Sequence, residues 1–289
     1  MSSIVQQHSF YAQNFLKDSC LVALLLARCG IGDTDVVYEI GPGKGIITRQ
    51  LAFCCKQVIA IEKDPRLAVL LRQQFADWPN VMIHEGDFLD YHLPHRPYKV
   101  FANIPFNITT AIVTKLTSAE QPPDDACLVM QKEAADRFLG KPHESLYSVL
   151  LKPWFEVELV HRFQRRDFVP APRVDVVMLR LRKRGPPLIH RADRQCFRDF
   201  VVYGFTTWQP TLYHILKGIF TRQQLQRMRR ELGIDLDATP TSLPCESWLN
   251  MFEYFKRVGS RQAAYTIMGS EKRLQRQQRG LQKRQRKML

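Results

Sequence analysis

The chain has 289 residues, 45% of them hydrophobic and 10% aromatic, which suits one large folded domain with a smaller one and argues against disorder except locally. Its 42 Lys and Arg outnumber 28 Asp and Glu, for a formal charge of +14, so an anionic partner is expected. No run approaches roughly 18 consecutive apolar residues, so no membrane span is expected, and the anionic partner is either nucleic acid or an acidic membrane surface.

The seven cysteines show no CxxC pair and no Cys/His cluster, so no metal site is expected and the pattern is that of a reducing, cytoplasmic protein. Before residue 10 the chain is polar, with no basic start and apolar core of a secretory signal. Asp18 is a candidate N-cap for an apolar helix over Ser19–Cys29, which Gly30 stops. Short apolar runs over Asp35–Ile40, Gln57–Glu62, Val81–His84, Tyr98–Ala102 and Ala126–Met130 predict strands. Amphipathic runs over Ile46–Cys55, Pro65–Phe75, Ile108–Leu116 and Lys132–Leu139 predict helices between or after them. This alternation predicts an α/β fold, a Rossmann-like parallel sheet. Trp154–Phe163 and Val174–Arg182 follow with no helix between them, which predicts an antiparallel end to the sheet.

Gly185-Pro186-Pro187 reads as a linker. Beyond it Asp193–Phe205, Leu212–Ile219, Arg222–Leu232 and Glu246–Val258 read as helices. The expected division is a catalytic domain over residues 1–184, a small all-helical C-terminal domain over 185–269, and a basic disordered tail over 270–289. That tail holds eight Lys or Arg and one Glu, a charge of +7, so the remainder of the chain is also basic. The tail is expected to add salt-dependent, sequence-independent affinity for an anionic partner.

Four strand ends carry the chemistry. After the first comes Gly41-Pro42-Gly43-Lys44-Gly45, a GxGxG turn that lets a ligand approach the backbone at Gly41 and Gly43. By itself it could be a turn only. At the second strand end Glu62 can take both hydroxyls of a ribose. At the third, Asp87 can accept from an adenine amino group, with Phe88 or Leu89 against the ring. Together these form a nucleoside site. There is no GKT or GKS and no GxGxxG for a phosphate. A nucleoside without phosphate points to S-adenosylmethionine (SAM) rather than NAD or ATP.

The fourth strand end is Asn103-Ile104-Pro105-Phe106, which resembles the Asn/Asp-Pro-Pro-Tyr/Phe motifs of amino-methyltransferases. An exocyclic adenine amine is a poor nucleophile because its lone pair is delocalised into the ring. The Asn103 side-chain oxygen and the Ile104 carbonyl can each accept one N–H, which draws the nitrogen towards tetrahedral geometry. Pro105 fixes the backbone between them, and Phe106 can stack on a flipped-out base.

The Gln-Asn-Phe-Leu of 13–16, the Glu-Ile-Gly-Pro-Gly-Lys-Gly of 39–45, Glu62, Gly86-Asp87, the Asn-Ile-Pro-Phe-Asn-Ile of 103–108 and the Phe-x-Pro-x-Pro-x-Val-Asp of 168–175 occur in order. Together they resemble the rRNA adenine N6-dimethyltransferases, the KsgA/Erm family, over about residues 10–182. The resemblance implies that Asn14 and Leu16 help cover SAM, with Gly41, Glu62, Asp87 and Asn103 as contacts. It implies that Phe106 stacks on the target adenine with Phe168 on the other face; the alternative for Phe168 is a core aromatic. Asn-Ile-Pro-Phe, the run 146–155 and Thr241-Ser242-Leu243-Pro244 look like the Erm branch. That branch methylates 23S rRNA and confers macrolide, lincosamide and streptogramin B resistance. Met130-Gln131-Lys132-Glu133 resembles the small-subunit branch, and a binding factor without activity on the same fold is a third expectation. The expected partner is a 23S rRNA stem with a flipped adenine, engaged by a monomer. Arg162, Arg165, Arg166 and Arg173, then Lys183, Arg184 and Arg191, are the candidate phosphate contacts.

Overall fold

A computed structural model describes residues 14–288 of the chain. Gln13 of the predicted arm lies outside the described residues.

In chain order the elements are β1 (Phe15–Leu16), α1 (Ser19–Arg28), β2 (Val36–Ile40), α2 (Ile46–Cys54), β3 (Gln57–Glu62), α3 (Pro65–Gln74), β4 (Val81–Glu85), β5 (Lys99–Asn103), α4 (Thr109–Ser118), β6 (Asp125–Gln131), α5 (Lys132–Leu139) and α6 (Leu146–Leu151). There follow β7 (Phe155–Arg162), β8 (Phe168–Val169), β9 (Val176–Lys183), α7 (Arg194–Thr206), α8 (Leu212–Leu216), α9 (Arg222–Leu232), α10 (Cys245–Val258), α11 (Arg261–Ile267) and α12 (Ser270–Met288). The local signals act as expected. Asp18 Oδ1 accepts from the Cys20 and Leu21 amides at the start of α1, and Pro65 opens α3 behind an Asp64 cap.

Seven strands form one sheet in the order β4-β3-β2-β5-β6-β9-β7. β2, β3, β4, β5 and β6 pair in parallel, and β9 runs antiparallel to β6. The inner strands are buried almost throughout, as a parallel sheet requires. The chain runs outward from β2 through β3 to β4, then returns to the other side of β2 as β5. The β2–β5 boundary is therefore the topological switch point, and a crevice opens at the carboxyl ends of its strands.

Two compact units make up the chain. One takes the described residues up to Ala135 plus Glu156–Lys183; the other takes Asp136–Phe155 and the chain from Arg184 onward. The expected first domain runs to residue 184, whereas the first unit ends at Lys183 and residues 136–155 group with the helices. Val149 of α6 is fully buried in the core built around Phe197, Phe200, Trp248 and Phe252, so apolar packing rather than chain order sets the division. The expected disordered tail is also corrected. Ser270–Met288 is helical, and its first residues Ser270 and Glu271 are buried. Its Arg, Lys and Gln are strong helix formers. Asp199 accepts from the Gly269 and Glu271 amides at its start, and Arg198 makes a paired bond to Glu271.

Cys29 and Cys127 are joined by a disulfide across 98 residues of sequence. Cysteine spacing gives no sign of this pair, because packing of the end of α1 against β6 brings the two together. No described helix is long and apolar enough to cross a membrane.

Candidate active site

The turn after β2 sits at the switch point. Gly41, Gly43 and Gly45 have φ of 68°, 58° and 79°, a left-handed backbone that side chains rarely adopt. Gly41 donates to Ile61 O at 3.0 Å and Gly45 to Pro42 O at 2.9 Å. A Cβ on Gly43 would lie 2.4 Å from the Phe15 ring, so the glycine admits an aromatic lid at that point.

Glu62, at the end of β3, is buried. Its Oε2 accepts from the Gly43 amide at 3.0 Å and its Oε1 from the Asp64 amide at 2.8 Å. The acid therefore ties the glycine turn to the next strand end, and each oxygen retains a lone pair for a ribose hydroxyl. Asp87 follows β4. Burial alone would raise its carboxyl, but the Lys63 ammonium at 2.7 Å and the Leu89 amide at 2.9 Å outweigh it and hold the group below the usual carboxylate range. Phe88 is turned inward, 4% exposed, with the Lys115 ammonium 5.2 Å from its ring centre. Its ring is thus packed rather than open, and Leu89 is the half-buried neighbour left beside Asp87.

The β2–β5 register pairs Glu39 with Phe101, near the carboxyl ends of both strands. The Asn103 Nδ2 donates to Asn14 O at 2.7 Å. A backbone carbonyl can only accept, so this bond fixes the amide: its NH₂ faces the arm and its Oδ1 is turned the other way, free to accept. Ile104 is buried and its amide bonds Val129 O at 3.1 Å. Pro105 O receives the Ile108 amide at 3.2 Å and opens a 3-10 turn over Phe106–Ile108. Phe106, half-buried, rests partly on the core.

A second ladder, β1 against β8, pairs Phe15 with Val169 and Leu16 with Phe168. It holds Asn14 beneath Asn103 and Phe15 over Gly43. Leu16 and Phe168 are both buried, and Phe168 lies edge-on to Phe163 with centres 5.2 Å apart. Of the two readings for Phe168, its packing is that of the core aromatic. Arg162, Arg165, Arg166, Arg173 and Arg191 are exposed, whereas Lys183 pairs with Asp124 and Arg184 Nε donates to Lys152 O.

Two features lie outside what sequence reasoning singled out as site residues. Phe15 is one; its position over the glycine turn depends on a two-residue strand. Glu39 is the other. It is fully buried, Thr48 donates to its Oε2 at 2.6 Å, and its Oε1 has no partner. Burial above all pushes its carboxyl up to about 8; the Thr48 bond works against this and the nearby Glu62 charge adds to it. The acid at the end of the first strand was the available signal.

The cradle fits SAM on these observations. A backbone-lined glycine turn and two carboxylates on successive strand ends, Glu62 and Asp87, offer acceptors to a cationic amino-acid nucleoside. The ends of β2–β4 thus carry the glycine turn, Glu62 and Asp87, and the end of β5 carries the Asn103 amide.

The family described as "Ribosomal RNA adenine dimethylase" matches residues 4–257. The chain is 31% identical over 246 residues to the rRNA adenine N-6-methyltransferase of Bacillus licheniformis, covering 84% of this chain and 85% of that one. It is 36% identical over 216 residues to the ribosomal RNA small subunit methyltransferase A of Geobacter sulfurreducens, covering 71% and 78%. The crystal structure of the 23S rRNA methyltransferase ErmE superposes with a TM-score of 0.76 at 32% identity, over 84% of this chain and all of that one.

Proposed function

The chain belongs to the ribosomal RNA adenine dimethylase family, and from that premise we propose that it methylates N6 of an adenine in 23S rRNA and so confers macrolide, lincosamide and streptogramin B resistance. It is a SAM-dependent rRNA adenine N6-methyltransferase; the large-subunit target, the resistance and the residue roles are the proposal. When bound, SAM supplies an electrophilic methyl on a sulfonium. Gly41, Gly43, Glu62 and Asp87 would hold its nucleoside, and Asn14 and Leu16 cover it as part of the arm.

The observation that carries the reading is the locked Asn103 amide. Its Oδ1 and the Ile104 carbonyl accept the two N–H bonds of the adenine amine, and Phe106 stacks on the extruded ring. Holding the amine in line for displacement supplies most of the catalysis. The attacked nitrogen becomes acidic as it forms its new bond, so it releases its proton without a strong base. The buried Phe168 serves this site by pairing with Leu16 and holding the arm.

Likeness to ErmE over the whole of that chain favours the large subunit. The Geobacter relative gives the small-subunit reading its own support. Methylation of protein-free 23S rRNA and of assembled small subunits, followed by primer extension, separates them. Stops in the peptidyl-transferase region are expected; stops only near the 3′ end of the small-subunit RNA would replace the proposal with the second reading. We place the enzyme in the cytoplasm as a monomer, which size-exclusion with light scattering checks.

A further inference from the structure

The helical unit holds a groove of about 750 Å³ lined from the end of α7, the 3-10 turn Pro240–Ser242 and the first turns of α12. Tyr203, Trp208, Gln209, Arg273 and Gln277 are among its lining residues, and no lining residue is a carboxylate. Trp208 is 97% exposed, while no other large apolar side chain among the described residues exceeds 70%. This exposure is built into the loop. Thr207 bonds Tyr203 O through both its amide, at 3.1 Å, and its hydroxyl, at 2.7 Å, and Gln209 N closes onto Thr207 O at 2.8 Å.

Arg273 forms the cationic wall. It donates to Met268 O at 2.8 Å and to Ser270 Oγ at 2.7 Å, neutral oxygens that orient the guanidinium without cancelling its charge. The wall is anchored, because Asp199 and Arg198 fix the start of α12. A bare indole face, the Gln209 and Gln277 amides and a positioned guanidinium, lining one groove without a carboxylate, are complementary to an unpaired nucleotide: a flat aromatic base, its hydrogen-bonding edge and its phosphate. A duplex offers no free base face to an indole.

We propose that this groove binds one unpaired nucleotide of the RNA substrate, with the base on Trp208 and its phosphate on Arg273. The groove belongs to the helical unit, shares no residue with the methyl-transfer site, and the proposal rests on the reading that RNA is the substrate.

The test uses the full chain, Trp208→Ala, Trp208→Phe and Arg273→Gln. Binding is measured to a uridine hexanucleotide and to a duplex RNA of equal length; methylation is measured on an rRNA transcript. The hexanucleotide is expected to quench the exposed tryptophan emission and the duplex to leave it. Trp208→Ala should weaken hexanucleotide binding about tenfold or more and raise KM for the transcript with kcat unchanged, and Trp208→Phe should restore most of both. Arg273→Gln should lower the salt slope of binding by about one. Unchanged hexanucleotide binding by Trp208→Ala would overturn the proposal, as would equal quenching by the duplex. So would emission that changes with protein concentration alone, which would mark a face for a second copy. A wild-type chain that binds the hexanucleotide but methylates no rRNA supports this site and sinks the functional reading instead.

Discussion

The ends of β2, β3 and β4 and the end of β5 lie side by side but are built on opposite plans. The first three are closed on themselves. Glu62 holds two backbone amides, Asp87 holds one amide and an ammonium, and the glycine turn is pinned at both ends. The β5 end keeps its acceptors open: one side of the Asn103 amide is tied to the arm and the other is left for a ligand. A cofactor common to every turnover suits a preformed cradle, whereas a base that must leave its helix suits a mouth with unspent acceptors.

If this division holds, Asn103→Ala has the largest effect. It should lower kcat about a hundredfold or more, the order seen when one transition-state hydrogen-bonding group is removed, while SAM and RNA affinities stay within a few-fold. Equal losses in kcat and in SAM affinity would merge the two regions into one. Glu62→Gln should act in the opposite sense, weakening SAM about tenfold by calorimetry through loss of charge-assisted bonds, with kcat at saturating SAM retained.

Gly43→Ala tests the cradle's shape. It combines a left-handed φ of 58° with a 2.4 Å approach to Phe15. The expected cost is about 1–2 kcal/mol from the backbone alone, read in denaturant unfolding. Phe15→Ala in the same chain should relieve the ring contact but not the backbone cost; full recovery would show that the φ is not limiting.

Glu39 gives a pH signature. Its carboxyl, about 8 when folded against a reference of 4.5, binds more protons folded than unfolded across that interval. Its contribution to stability is therefore whole below pH 4.5 and is lost as pH rises towards 8. The slope is at most about 1.4 kcal/mol per pH unit. Glu39→Gln should flatten the pH dependence of the unfolding midpoint over this range; an unaltered profile would mean the buried acid is ionised. The smallest effect is expected at Asp87→Asn. Its carboxylate is partly exposed and paired to a solvent-exposed ammonium, so SAM affinity should change within about fivefold.

Much of this was legible in the sequence because the candidate site residues stand at strand ends, and strand ends are marked by changes of period. Asn103, Glu62 and Asp87 each close an apolar run, and the glycines of 41–45 announce the turn between them. The rest depended on contacts no period records. β1 and β8 are two residues each, too short for alternation, yet they set Phe15 over Gly43 and Asn14 under Asn103. Phe88 and Phe168 follow a turn and open one, where an aromatic can face outward or inward; only the packing of Lys115 and Phe163 settles them inward. α12 looked disordered by composition because charge and low complexity conceal a run of helix formers with a buried first turn.

The bond from Asn103 to the arm also has a consequence for discrimination among bases. By turning its NH₂ to Asn14, the amide presents oxygen alone to the incoming ring, beside the carbonyl of Ile104. A ring bearing a carbonyl where adenine bears its amine would set oxygen against oxygen, with no proton between them. An adenine deaminated to inosine would therefore be refused at this mouth although its outline is almost the same. On the proposed reading, one backbone oxygen at residue 14 helps the mouth refuse a ring that carries a carbonyl in place of the amine.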